Sequence, residues 1–168
     1  MEKKTIWNPH GFVAEVIRLS KKEPAFRSAM RRADNPVTES FAWEHLVTWC
    51  DISKDWERLP FALIGSAVAN ELPDSDGKAN LGELLRKCCT SDDDREREKR
   101  RFRRILSCES IQELCIVLRP ILKYLQSNSS VPIGYAGLLT DILYFNERVK
   151  LRWAESFFGN KLEEQKDE

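Results

Sequence analysis

The chain has 168 residues, 42% of them hydrophobic and 32% charged, enough for one domain of ordinary size or two small helical ones with a substantial core. Its 27 basic and 27 acidic residues sum to zero formal charge, so bulk charge carries no sign of a nucleic-acid binder and only a local patch could serve a phosphate partner. The 5 cysteines (Cys50, Cys88, Cys89, Cys108, Cys115) lack paired CxxC spacing, and with His10 and His45 alone beside them they make no zinc pattern; buried free thiols in a reducing cytosol are expected, with no metal and no cofactor.

Met1 to Phe12 has no apolar run of the signal-peptide kind, and no window approaches the roughly 18 apolar residues of a membrane span, so a cytoplasmic protein with no membrane partner is expected. Asn8-Pro9 reads as a cap followed by proline in the first turn, and Phe12, Val13, Val16 and Ile17, with Leu19 beyond them, then recur at helical spacing. Glu23-Pro24 starts a second helix with an inner stripe of Phe26, Met30 and Ala33. Its other side carries Arg27, Arg31 and Arg32, and it stops at Asp34-Asn35-Pro36. Thr38, Phe41, Leu46, Val47 and Cys50 predict a third helix facing the core. A fourth, capped by Asp55, is apolar almost all round from Phe61 to Ala69 and should be central; Pro60 is tolerated there only in the first turn.

Leu72 to Lys78 is the clearest loop in the sequence, and Asn80 then caps a short helix through Cys89. Next comes the most charged stretch. Asp92, Asp93 and Asp94 sit where exposed helix N-terminal amides attract carboxylates, and 7 Lys/Arg follow between Arg95 and Arg104. Phe102, Ile105 and Leu106 share one face, while Arg97, Arg101 and Arg104 form a row on its flank. Part of that charge can be ordinary solvated surface, with Glu96 paired to Arg100 and Glu98 to Arg101. Ser110 caps a further helix kinked by Pro120, Pro132 opens another, and Asn146 breaks it before a last helix with Val149, Trp153, Phe157 and Phe158 that Gly159-Asn160 ends.

Nowhere does the alternation of a strand appear, so the fold class is all-α: two small packed helical bundles with about eight or nine helices. The division expected is an N-terminal bundle over 1–72, a C-terminal bundle over 80–160, and a charged, frayed tail over 161–168. Between Arg95 and Arg152 there are 12 Lys/Arg against 6 Asp/Glu, a basic region hidden inside the neutral total.

Enzymatic signatures are absent: there is no Gly-rich phosphate loop, no HExxH and no GxSxG, and neither histidine lies near a nucleophile. Asp74/Asp76 lie in a turn and Asp92 to Asp94 at a helix start, where capping already accounts for acids. No catalytic residue is assigned. The aromatics sit mostly on apolar helical stripes, which makes them core rather than base-stacking platforms.

In their order and spacing, several fragments resemble the CasB family, the small helical subunit of the type I-E CRISPR surveillance complex Cascade. They are Ala25 to Ala33, Leu63 to Ala67, Leu81 to Leu85, Arg101 to Leu106, Glu113 to Arg119, Pro132 to Tyr135 and Glu147 to Trp153. The chain departs from the family pattern at Gly134, where an acidic residue is frequent, and at Asn146, where proline is common, so the caps of the last two helices are expected to differ.

This resemblance implies a non-enzymatic subunit, present in two copies beside other Cascade subunits, that contacts the backbones of guide RNA and target DNA. There it would help hold the guide–target hybrid and the displaced strand apart. Guide pairing is a nearly balanced strand exchange, so backbone contacts can tip it without reading sequence. The candidates for those contacts are Arg27, Arg31 and Arg32 on the second helix, Arg97, Arg101 and Arg104 on the basic one, and Arg119, Lys123, Arg148, Lys150 and Arg152 further on. A helical adaptor whose charges meet only protein is the alternative. A helix-turn-helix regulator lacks its short Gly turn between recognition-length helices.

Overall fold

A computed structural model describes residues 6–159; the charged tail expected over 161–168 lies outside the described residues. Those residues form nine α-helices and one 3-10 turn with no strand, an all-α fold. In chain order they are α1 (Pro9–Lys22), α2 (Pro24–Arg31), the 3-10 turn (Glu39–Ala42), α3 (Trp43–Leu46), α4 (Asp55–Glu71), α5 (Leu81–Lys87), α6 (Asp92–Leu106), α7 (Ile111–Asn128), α8 (Tyr135–Leu143) and α9 (Glu147–Phe158).

Local chemistry sets most of the boundaries. The side chains of Asn8, Asn80, Ser91, Ser110 and Asn146 accept hydrogen bonds from the first-turn amides of Gly11, Glu83, Asp94, Glu113 and Val149, so each helix begins where a short polar side chain can satisfy an orphan donor. Gly159 ends α9 with φ of 79°, a backbone state that favours glycine.

Every residue from Pro60 to Ala69 is buried, so α4 is the hub: it packs against α1, α2 and α3 and against α7 and α8. Around it runs one contiguous hydrophobic core that reaches from Phe12 to Phe157. A second pairing sets α5 against α9, with α6 joining α5 and α7.

Three local expectations are corrected. The segment after Thr38 is not one core-facing helix but a 3-10 turn followed by a single helical turn, with Phe41 56% and Val47 54% exposed; Ala42, Leu46 and Cys50 are buried and Trp49 packs against the core. Pro60 sits in the second turn of α4 rather than the first, and burial of this almost wholly apolar helix offsets the one backbone bond it removes. Helix α8 starts at Tyr135 instead of Pro132, because Ile133 pairs with Ala79 in an isolated parallel bridge and the Asp76 carboxylate caps the amides of Tyr135 at 2.8 Å and Ala136 at 3.1 Å.

Candidate nucleic-acid interface

The C-terminal half of α2 lies across the C-terminal end of α4, where the last carbonyls of the helix attract cations. Arg27 Nε donates to the Ala69 carbonyl at 2.9 Å, and Arg31 Nε donates to Asn70 Oδ1 at 2.8 Å. Ser66 completes the junction, its hydroxyl donating to the Arg31 carbonyl at 2.9 Å. Arg31 and Arg32 are exposed and, with Ser28 and Asn70, line a surface groove of ≈ 320 Å³. Asn70 also borders the adjoining cleft, with Asp34, Arg119, Lys123 and Gln126. Asn70 thus joins the groove of Arg31, the last residue of α2, and Arg32, just beyond it, to the cleft that Lys123 of α7 borders, although the two helices lie far apart in the sequence.

Other candidates are held by acids. Arg119 makes a two-pronged pair with Asp34, at 2.7 and 3.1 Å, which ties α7 to the turn after α2 and holds the guanidinium charge firmly in place. Arg152 pairs at 2.6 Å with Asp141, which also accepts the Trp153 indole N–H at 2.9 Å. Burial pushes the Asp141 carboxyl up despite both partners.

On α6, Arg97 pairs with Asp94 at 3.3 Å, and Glu96 takes Lys99 at 3.2 Å rather than Arg100. Arg101 is bound to Glu98, which is fully buried and also accepts the Tyr124 hydroxyl at 2.8 Å; the guanidinium lies 3.9 Å from the centre of the Tyr124 ring. Burial and the Glu98 carboxylate push the Tyr124 phenol to about 12.

Among the described residues, the candidates without an acid in ion-pair range are Arg27, Arg31, Arg32, Arg104, Lys123, Arg148 and Lys150. The first group is the surface around Asn70. The other candidates are Arg104 on α6 and Arg148 and Lys150 on α9. Lys150 lies 5.3 Å from the centre of the Phe145 ring, and Arg148 is exposed on the same helix.

Sequence reasoning missed two neighbours of the first group. Asn70 ends an apolar helix, and nothing local marks it as a partner of Arg31. Phe41 matched a core stripe, yet it is exposed with the Arg32 guanidinium 5.4 Å from its ring centre. Among the described residues there is no group of three or more metal-ligating side chains, and no helix is long and apolar enough to cross a membrane.

Comparison with known proteins accords with this architecture. The model of the CRISPR-associated protein Cse2 family matches residues 26–158, most of the chain. The crystal structure of CasB from Thermus thermophilus is similar with a TM-score of 0.66 at 21% identity, covering 92% of this chain and 100% of that one. A second crystal structure, of a CRISPR-associated protein of the Cse2 family from the same organism, gives 0.67 at 20% identity with the same coverage; at these identities both show a shared fold. No curated protein sequence matches the chain. A helical fold shared across nearly the whole chain, and a family model spanning all but its ends, lead to one conclusion: the chain belongs to the Cse2 (CasB) family of CRISPR-associated proteins, of the type I-E Cascade.

Proposed function

We propose that the chain is a non-catalytic small subunit of a type I-E Cascade and that it holds nucleic-acid backbone along the surface formed by Arg31, Arg32 and Lys123. The observation that carries this reading is that Arg31 and Arg32 line a groove and Lys123 the cleft adjoining it at Asn70, with no acid in ion-pair range of the three among the described residues. Guanidinium and ammonium groups so placed gather phosphates without reading bases, which suits a subunit that stabilises a guide–target hybrid and the displaced strand. Arg104 of α6 and Arg148 and Lys150 of α9 are further cations for the same polyanions. The paired residues Arg97, Arg101, Arg119 and Arg152 serve the fold first. Exposed Ile116, Leu151 and Phe158 offer apolar contact to protein neighbours, which include other Cascade subunits and a second copy of the chain.

The test reverses charge at the surface, with R31E, R32E and K123E combined in a reconstituted guide-containing complex. Assembly should survive, while permanganate reactivity of the displaced strand on duplex target falls toward background. Loss of assembly would assign these positions to protein contacts, and unchanged strand opening would remove them from the mechanism.

A further inference from the structure

The 3-10 turn Glu39–Ala42 presents an aromatic ring beside the Arg31/Arg32 groove. Phe41 is 56% exposed, and the Arg32 guanidinium lies 5.4 Å from its ring centre. This arrangement is held in place by backbone geometry. The Asn35 carbonyl accepts the amides of Thr38 at 3.0 Å and Glu39 at 2.8 Å, and the Thr38 hydroxyl donates to the Arg32 carbonyl at 3.0 Å. Thr38 then accepts the Phe41 amide at 3.1 Å. A short chain of hydrogen bonds therefore runs from the residue that carries the guanidinium to the residue that carries the ring. An exposed phenylalanine in so fixed a turn gains nothing for the core, whose nearby members are Ala42 and Leu46.

Resting on the phosphate-binding reading above, we infer that Phe41 stacks a nucleobase of an unpaired strand whose phosphates lie on Arg31 and Arg32. The site thus takes single-stranded nucleic acid in preference to a duplex. An aromatic face accepts any base, so the contact adds affinity without sequence choice, and a paired base inside a duplex cannot offer its face. Charge complementarity names the occupant: the ring adjoins the exposed Arg32, which lines a groove with Arg31, and neither arginine has an acid in ion-pair range among the described residues, which favours a polyanion over an apolar protein surface.

The experiment compares the intact chain with F41A, F41Y, F41W and the double variant R31A/R32A. Each is titrated at low ionic strength against a labelled oligothymidylate and against a duplex of equal length. Since Phe41 is largely exposed, F41A should melt with the parent protein. F41A should weaken single-strand binding by roughly 5- to 100-fold and leave duplex binding unchanged, with F41Y and F41W near the parent value. The R31A/R32A pair should weaken both substrates. Single-strand affinity unchanged in F41A but lost in R31A/R32A would overturn the stacking contact and leave phosphate binding standing. Affinity unchanged in both variants would overturn the two readings together. Equal loss on both substrates in F41A would overturn the single-strand preference.

Discussion

Arg97 and Arg101 stand one helical turn apart on α6, yet their surroundings give them different work. The Arg97 pair with Asp94 is wet, with side-chain exposures of 52% and 25%, and pairs of this kind contribute under about 1 kcal/mol. Arg101 instead faces Glu98, whose side chain is 1% exposed and whose second oxygen, Oε2, has no hydrogen-bond partner among the described residues. Removing the guanidinium leaves that carboxylate buried with only the Tyr124 hydroxyl. R101A should therefore cost about 2 kcal/mol or more, discounted for the partly exposed Arg101, while R97A stays under about 1 kcal/mol. Urea midpoints for the two variants check this, and equal shifts would contradict it. The i, i+3 spacing makes the Glu98–Arg101 pair readable from sequence. Tyr124, 26 positions away, is not, because only the packing of α7 on α6 brings it there.

At the scale of elements, α5 and α9 approach more closely than ordinary side chains allow. A Cβ added at Gly82 would lie 2.0 Å from the Trp153 carbonyl oxygen, which is backbone and cannot swing aside. G82A must push α9 outward and disturb the fully buried Trp153. Overpacking of this kind costs about 1–3 kcal/mol, so the melting temperature should fall by roughly 3 to 9 °C; a variant that melts with the parent would show that the two helices can part freely. Helix starts were readable wherever the cap is local, as at Asn8, Asn80, Ser91, Ser110 and Asn146. The start of α8 was not, because its acceptor is Asp76, 59 positions from Tyr135. The segment from Thr38 to Cys50 misled for a related reason. Its apolar spacing fits a helix, but only part of it finds a surface to bury against, and Phe41 is left exposed beside Arg32.

Across the whole molecule, a neutral total conceals a division of labour among cations. Long-range ion pairs, Asp34 with Arg119 across 85 positions and Asp141 with Arg152 across 11, use arginines to fasten helices together. Among the cations without acids, Arg31, Arg32 and Lys123 border the groove and the cleft that share Asn70. The sequence showed which residues are basic and, through helical spacing, which faces they occupy. It could not show that Arg119 and Arg152 have acids opposite, since Asp34 and Asp141 arrive from other elements.

The most direct test of the account is the salt dependence of duplex-target binding by a reconstituted complex carrying either the parent subunit or R31A/R32A. If these arginines neutralise phosphates, the plot of log affinity against log salt concentration should be shallower for the variant by roughly 1 to 2 units, the loss of about two released counterions. Parallel lines for the two complexes would contradict the claim that this surface carries the polyanion.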